Sequence, residues 1–355
     1  MEFGLSEEQV LLQDSVNRFL SDQVPLDEVR KIASGEKSDT AIWQGLTEQG
    51  IPGLLIPEAQ GGVGLGYLDT AIVAECLGHH VTPSPFLSTA VIAPVALLAA
   101  GGQEDLLAGI AAGNSRVGIA FGEALGARAD AGVSVSDGKI NGKSIFVMDG
   151  NADHYLIADS NQHLYLVSAN ADGLERGNLT TIDATRSTCQ LIYNDVTAAP
   201  ISNDANVFIQ ALDIGRVMQA ADTLGAAQCM LDQSVTYAMQ RKQFNRVIAS
   251  FQAVKHMCAD MAANIEPCRS FVWYAGFALD DIPDDRRLVS CQVKAHLQDV
   301  GKFVSKVATE VHGGMGFTDL VGLHYWFKRI GANRQLLGSP EMLREEAARI
   351  QDLAA

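Results

Sequence analysis

A glycine-rich segment is the first feature of this chain that could do chemistry. Residues 310–318 read EVHGGMGFT, so a carboxylate, an imidazole and a hydroxyl flank three glycines. Gly313 and Gly314 let the backbone turn tightly and approach a ligand closely. A helix that begins beyond them would point free N–H groups at a phosphate. A plain turn between two helices uses the same residues, so this segment alone leaves both interpretations open.

A second segment places a permanent cation beside an amide and an aromatic ring. Residues 241–252 read RKQFNRVIASFQ, and the pattern before them predicts that Arg241 ends a helix. A guanidinium at that position suits a pyrophosphate. Gln243 would add a donor and an acceptor, and Phe244 would add an apolar wall. The alternative is a solvated cation at a helix end.

Composition narrows the class of protein. The chain has 355 residues, 47% hydrophobic and 19% charged, which predicts a globular protein of two or three subdomains. Its net charge of −16 argues against a nucleic-acid partner and an anionic membrane surface. Six cysteines without a CxxC pattern predict buried thiols in a reducing compartment and no metal site. Because no signal peptide is visible and the most apolar run, residues 90–100, is too short to span a bilayer, we expect a cytoplasmic protein.

The hydrophobic period predicts three domains. Residues 1–113 follow helical spacing, residues 114–203 alternate with a period of 2, and residues 204–355 return to helical spacing. We therefore predict an α+β fold with an N-terminal helical domain, a compact antiparallel β domain and a C-terminal bundle of long antiparallel helices.

Local signals support these assignments. Ser6 and Gln9 have the spacing of a capping box at the start of the first helix. Two hairpins are predicted in the β domain, one that turns at Asp137-Gly138 and one that turns at residues 159–162.

Three motifs occur in the order found in one family. They are a glycine-rich stretch at residues 50–64 with Glu75 beyond it, the segment 241–252 and the segment 310–318. Together they resemble the acyl-CoA dehydrogenases, flavoproteins with the same three-domain order, over nearly the whole chain. The resemblance implies FAD-dependent α,β-dehydrogenation of an acyl-CoA thioester, with an electron-transfer flavoprotein as the electron acceptor.

The resemblance also implies which residues bind FAD, partly across a subunit interface. In the family the arginine contacts the pyrophosphate, the glutamine and phenylalanine lie near it, and the Gly-Gly turn contacts the adenosine side of a neighbouring subunit's flavin. A segment of the β domain lies along the isoalloxazine. The corresponding residues here are Arg241, Gln243, Phe244, Gln252, Glu310, Gly313, Gly314, Phe146 and Met148.

Three segments depart from the family pattern. Glu310 replaces the usual glutamine, and a carboxylate close to a pyrophosphate is repelled. The Thr-Glu-Pro-x-x-Gly-Ser-Asp loop, which touches flavin and substrate, reads FGEALGARAD at residues 121–130. The Trp-Ile-Thr segment reads FVM from Phe146 to Met148, which keeps an aromatic ring and loses a hydroxyl.

The largest departure concerns the base that removes the α-proton of the acyl group. Most members carry a glutamate in a Tyr-Glu-Gly-Thr turn, which by counting corresponds here to Gly338; others carry it on the first bundle helix, where this chain has Gly215. Asp213 is the carboxylate nearest to Gly215 in the sequence, but a separation of two residues places it about 200° away from Gly215 around a helix. A solvated first-turn aspartate, favoured by the helix dipole, is the preferred interpretation. The catalytic base therefore stays unknown.

The segments around His312 and His324 resemble the bacterial branch that degrades steroid and other bulky acyl-CoA side chains. Members of that branch often form α2β2 heterotetramers, in which one subunit can lack the base. Three functions stay open: a dehydrogenase for a bulky acyl group, a non-catalytic subunit of a heterotetramer, and a flavin oxidase or monooxygenase on the same fold. Either histidine could act as an acid, but a histidine beside a glycine turn more often hydrogen-bonds the backbone, which we prefer.

We expect a homo- or hetero-tetramer, or a dimer within one. The reason is that the implied FAD contacts are divided between Arg241 and the Gly313-Gly314 turn, which the family joins across an interface. Sedimentation velocity on the purified protein measures this. A monomer that binds FAD in full would contradict the expectation.

Overall fold

The computed structural model describes residues 4–126 and 131–354 of the chain. The first part is helical, with helices α1 (Glu7–Gln23), α2 (Leu26–Ala33), α3 (Thr40–Glu48), α4 (Tyr67–His79), α5 (Ala93–Ala100) and α6 (Glu104–Ala111). A π-helical stretch, Phe86–Ile92, leads into α5. The predicted capping box is present, since Ser6 and Gln9 each accept a hydrogen bond from the other's backbone N–H.

The middle part is a sheet. Its strands are β1 (Val117–Ala120), β2 (Gly132–Ser136), β3 (Lys139–Met148), β4 (His154–Ala158), β5 (Leu164–Ser168), β6 (Leu174–Asn178), β7 (Thr188–Thr197) and β8 (Ala199–Ser202). They lie in the order β6-β7-β3-β1-β4-β5-β8, and β2 pairs with β3 beside that path. Both predicted hairpins are confirmed, because β2 and β4 each pair antiparallel with the next strand in the chain.

One pairing differs from the antiparallel prediction. β1 and β4 are parallel, with Val117 opposite His154 and Ala120 opposite Ile157. Strands β3 and β4 follow each other in opposite directions but lie on either side of β1, so β4 must run parallel to it. The alternation of apolar and polar residues along a strand shows which face of the strand is buried, but not whether the neighbouring strand runs parallel or antiparallel to it. The sequence therefore did not reveal that β1 and β4 are parallel.

The last part is a helical bundle. It contains α7 (Ala205–Gln240), a short hairpin of β9 (Lys242–Gln243) and β10 (Arg246–Val247), α8 (Gln252–Asp281), α9 (Arg286–His312), a 3₁₀ turn (Gly313–Phe317), α10 (His324–Gln335) and α11 (Pro340–Ile350). The predicted fold class, helical domain, antiparallel-rich sheet and helical bundle, is therefore confirmed. No helix in the described ranges is both long and apolar enough to cross a membrane.

Helix α7 is the centre of the molecule. It has 36 residues and is buried on all sides over most of its length, as expected for a helix surrounded by other elements. It crosses α4 at two glycines: a Cβ on Gly78 would overlap the backbone of Asp222, and a Cβ on Gly225 would overlap the backbone of Glu75. The two backbones thus touch directly, which no larger residue allows.

Charged groups buried between the three domains also hold α7 in place. Asp222 on α7 pairs with Arg186 of the β domain at 2.8 Å and lies 3.6 Å from Arg329 of α10. Arg329 donates to the backbone carbonyl of Thr82 in the N-terminal domain at 2.9 Å. One cluster therefore connects all three domains.

Because the backbones of α4 and α7 touch at two glycines, we expect a single added methyl group at this contact to destabilise the protein strongly. We expect Gly225→Ala to lower the free energy of unfolding by at least about 1–3 kcal/mol, the usual cost of overpacking a core, because the neighbouring backbone of α4 cannot yield as a side chain would. Chemical denaturation followed by circular dichroism measures this. The matched control is Gly331→Ala on α10, where the nearest atom to a Cβ is the flexible end of Ile182 at 3.3 Å. There the change should be neutral or stabilising by up to about 1 kcal/mol; equal losses in both variants would contradict the explanation.

Candidate functional site

The segment predicted to hold a pyrophosphate is an exposed hairpin at the end of α7. Arg241 caps the helix, and its backbone N–H donates to the Tyr237 carbonyl at 2.8 Å. The chain then turns through Phe244 and Asn245, both with positive φ, 52° and 60°. This conformation suits asparagine but strains an aromatic residue. Phe244 is nevertheless 87% exposed, so its side chain is open to contact with another molecule.

The hairpin is also a concentrated positive charge on an acidic chain. Arg241, Lys242 and Arg246 are exposed within six residues, while the whole chain carries −16. The Arg246 guanidinium lies over the Phe251 ring, 3.9 Å from its centroid. No carboxylate among the described residues forms an ion pair with Arg241. A free guanidinium in this setting is suited to a polyanion such as a pyrophosphate.

The Gly-Gly turn lies at the same end of the bundle. The last residue of α9, His312, stacks on Tyr237 of α7 with ring centroids 4.6 Å apart. Gly313 follows with φ 56°, and a Cβ on Gly313 or Gly314 would meet nothing within 4 Å. Both glycine backbones are therefore open to a ligand. The Tyr237–His312 stack thus places the Gly-Gly turn beside the last turn of α7, after which the hairpin begins.

The two histidines behave differently. His312 is buried and its Nδ1 lies 2.8 Å from the Ala308 carbonyl, so the predicted hydrogen bond to the backbone is confirmed. Burial lowers the pKa of His312, which favours the neutral ring. The same prediction is wrong for His324, whose Nε2 lies 2.9 Å from Oδ1 of Asp319, a side-chain carboxylate.

Two further predicted contacts lie on exposed surface near these segments. Glu310 is half-exposed, 3.9 Å from Lys306 one helical turn earlier, so a cation partly offsets its carboxylate. Gln252 is the exposed first residue of α8.

The β-domain residues lie at an irregularity of β3. The pairing of β3 with β7 shifts register between Ser144 and Val147, and Phe146 sits in this bulge with φ 54° and 44% of its surface exposed. Met148 is half-buried and lines a narrow cleft together with Leu336 of the bundle. The divergent loop at residues 121–130 is described only to residue 126; its remainder lies outside the described residues.

Asp213 is not the solvated first-turn aspartate that we predicted. It lies in the third turn of α7 and is buried. Its Oδ1 accepts hydrogen bonds from Ser290 at 2.8 Å and from Arg287, both on α9. Burial raises the pKa of this carboxyl group, although Arg287 and Arg216 oppose that shift. The carboxylate is therefore committed to a structural ion cluster, and in the part of the chain that the structure describes its hydrogen-bond partners lie on α9.

The loop in which the family resemblance led us to expect the base position also needs a correction. A Cβ on Gly215 would lie 2.8 Å from Cδ1 of Leu337 and 2.9 Å from Cδ1 of Ile92, whereas a Cβ on Gly338 would face Arg216 and Leu343. The residue opposite Gly215 is thus Leu337, one position before the one we counted. Ser339 caps α11. If this capping residue is aligned with the threonine of Tyr-Glu-Gly-Thr, the glutamate of that turn falls on Leu337, and this signal was available in the sequence.

Two buried basic side chains fix this loop, and the sequence did not reveal either role. Nζ of Lys294 donates to the carbonyls of Asn333, Leu336 and Gly338 at 3.2, 2.6 and 2.7 Å. Nε of Arg216 donates to the Leu337 carbonyl at 3.0 Å. Burial holds the pKa of Lys294 well below its usual range. In sequence both residues look like ordinary solvated helix charges, because nothing local marks their burial.

Comparisons with known proteins agree over most of the chain. Two family models match, "Acyl-CoA dehydrogenase, N-terminal domain" at residues 6–113 and "Acyl-CoA dehydrogenase, C-terminal domain" at residues 205–351. Acyl-CoA dehydrogenase IpdE2 of Mycobacterium tuberculosis is 32% identical over 95% of this chain and 96% of its own length. Its namesake in Mycolicibacterium smegmatis is 29% identical over 98% and 99%. A solved structure of the Tcur3481-Tcur3483 steroid ACAD G363A variant is 26% identical, with a TM-score of 0.88 over 98% of both chains.

The exposed hairpin generates a direct prediction about flavin binding. We expect Arg241→Ala to lower the affinity for FAD, since a guanidinium gives charge-assisted hydrogen bonds of about 1.5–3 kcal/mol each, or on the order of tenfold in affinity per bond. Flavin titration of the stripped protein measures this. Arg349→Ala, which removes a similarly exposed arginine paired with Glu345 on α11, is the control and should leave affinity unchanged. Equal affinity in both variants would show that Arg241 is only a surface cation.

Proposed function

This chain belongs to the acyl-CoA dehydrogenase family, and from that premise we propose that it holds FAD for the α,β-dehydrogenation of an acyl-CoA thioester but supplies no catalytic base. It would act as one subunit of a hetero-oligomer whose other subunit carries the base. The observation that carries this proposal is the packing of Leu337 and Ile92 against Gly215. Hydrocarbon fills the space where relatives place a carboxylate.

The residues present fit the cofactor. Arg241, on a basic hairpin, has no ion-pair partner among the described residues, Phe244 is exposed, and the Gly313-Gly314 backbone has open space beside it. The chemistry that FAD supplies in this family is acceptance of the hydride that leaves the acyl Cβ. This chain's contribution would be to neutralise the pyrophosphate and to position the adenosine side at a subunit interface.

The residues do not fit proton abstraction. A positioned general base contributes about 10²–10⁴-fold to such a step, and neither Gly215 nor Leu337 has a group that accepts a proton. Asp213 accepts hydrogen bonds from Arg287 and Ser290, which hold it to α9. Moving it to the acyl group would break a buried ion pair, which typically costs about 3–5 kcal/mol.

We propose a bulky acyl group, of the kind found in steroid side chains, as the substrate of the assembly. The support is the likeness to the Tcur3481-Tcur3483 steroid ACAD, whose name joins two components. An electron-transfer flavoprotein as acceptor stays a prediction from the family resemblance.

The proposal is tested by purifying the chain alone and after coexpression with the protein encoded by the neighbouring gene. Alone, it should show no turnover with a panel of acyl-CoAs, including steroid side-chain thioesters, and an artificial electron acceptor. The complex should be yellow and active. Turnover by the lone chain at rates usual for enzymes, about 1–10³ per second, would refute it.

A variant of Asp213 separates the two roles of that carboxylate. In the active complex, Asp213→Asn should leave turnover per bound FAD unchanged and lower the melting temperature, because Arg287 loses its buried partner. Arg241→Ala in the same complex should remove flavin and activity together. Loss of turnover with flavin still bound in Asp213→Asn would identify Asp213 as the base instead.

A further inference from the structure

Strand β3 exchanges its inward and outward sides partway along its length. Ser144 and Ile145 follow each other and are both buried, whereas Phe146 is exposed, Val147 is buried and Met148 is half-buried. Successive side chains of a regular strand point to opposite faces, so two buried residues in a row mark a shift of the alternation by one residue. A regular strand would have placed Phe146 on the inward side with Ser144. The bulge turns its side chain outward instead.

The backbone at Phe146 is in a conformation that an aromatic residue does not adopt without support. Its φ of 54° lies in the left-handed region, where a bulky side chain is rarely found. A residue persists in such a conformation only where the surrounding contacts fix it, and such residues cluster at sites that bind another molecule. Bulges likewise occur next to active sites, where they redirect a side chain. The contacts of the bulge therefore identify what holds Phe146 in place.

Glu123 supplies the contact that replaces the interrupted strand pairing. The described pairing of β3 with β7 passes from Ser144 to Val147 and skips Ile145 and Phe146. The backbone N–H of Ile145 donates instead to Oε1 of Glu123 at 2.7 Å. Glu123 lies just after β1, far from this bulge in the sequence. A side chain thus takes the place of a strand as the acceptor at the point where β3 shifts.

The segment that carries Glu123 is itself fixed to the bundle. Phe121 is buried, and its ring centroid lies 5.0 Å from that of Phe208 on α7. A Cβ on Gly122 would lie 3.4 Å from the carbonyl oxygen of Ile145, so the backbones of the two segments pass close to each other. Glu123 therefore reaches the bulge from a packed segment and connects it to α7.

We propose that Glu123 is a positioning residue, which fixes the bulge of β3 through the Ile145 N–H and so holds Phe146 outward beside Met148. This role rests on the proposed function in one respect, namely that the group facing Phe146 is the flavin ring. Glu123 acts through the backbone and needs no contact with the flavin to do so.

The competing explanation is that the sheet holds the bulge without help. Its strongest contact is the hydroxyl of Tyr193 on β7, which donates to Oγ of Ser144 at 3.1 Å, with both residues buried. If such contacts are sufficient, removing the acceptor on Glu123 leaves the bulge as it is. The two explanations therefore differ in what a change at Glu123 does to the Ile145 amide.

Hydrogen–deuterium exchange of the full chain, followed by mass spectrometry of peptides that span residues 144–148, tests the bulge without FAD. Glu123→Met and Glu123→Gln have side chains of similar length, but only glutamine keeps an oxygen that can accept. Glu123→Met should raise the exchange rate on the order of tenfold, the factor that corresponds to one hydrogen bond. Glu123→Gln should stay close to the unaltered chain. Unchanged exchange in Glu123→Met would overturn the proposal.

Two further variants complete this experiment. Glu175→Ala is the control, since it removes an exposed carboxylate of the same domain that accepts from Asn194 at 3.3 Å, and it should leave the exchange of residues 144–148 unchanged. Equal rises in Glu175→Ala and Glu123→Met would mean that the whole sheet loosens, and they would also overturn the proposal. If Glu123→Met does not fold, Glu123→Ala, in which water can reach the Ile145 N–H, replaces it with the same expected rise.

The coexpressed complex tests whether the bulge serves the flavin. Glu123→Met should leave the flavin content unchanged, because the proposed pyrophosphate contacts lie elsewhere, and should alter the visible circular dichroism of the bound flavin. Phe146→Ala should alter the same signal, and Glu123→Gln should preserve it. An unaltered signal in both Glu123→Met and Phe146→Ala would overturn the positioning role and leave the proposed function intact. An unaltered complex without flavin would refute the proposed function, whereas the exchange result would still decide whether Glu123 fixes the bulge.

Discussion

The buried ion cluster around Asp222 is the interaction on which the arrangement of the three domains depends. Burial opposes charge on Asp222, yet Arg186 and Arg329 beside it hold its pKa below the ordinary value. Each partner comes from a different element: α7, the β6–β7 connection and α10. Removing one member would leave the others buried and unpaired, which costs more than the pair contributes. The domains are therefore coupled through groups that must all be present together.

Helix α7 also connects two regions of different character. Its outer end carries the basic hairpin that starts at Arg241, while its buried part meets the loop clamped by Arg216 and Lys294. The first region is exposed and strained, and the second is closed and filled with hydrocarbon. The proposed cofactor contact and the proposed position of the base are thus physically separate on this chain, so a change at one need not alter the other.

The same clamp explains why the fold does not need a carboxylate at position 337. In this loop three backbone carbonyls accept from Lys294, and the Leu337 carbonyl accepts from Arg216. The path of the loop is therefore set by backbone hydrogen bonds from side chains on α7 and α9. The side chain at position 337 is free to be apolar, and packing against Ile92 and Gly215 stabilises it there.

The sequence by itself determined the local structure: the capping box at Ser6, the hairpin at Asp137-Gly138 and the order of helical and alternating segments, because these depend on neighbouring residues. It also identified the family, since motif order survives divergence. Only the tertiary structure decided that Asp213 is buried in an ion cluster and that Leu337 faces Gly215. Those facts depend on which helices pack together and at what rotation. A periodic pattern says that a face is buried, but the partner of a polar group on that face comes from residues far away in the chain.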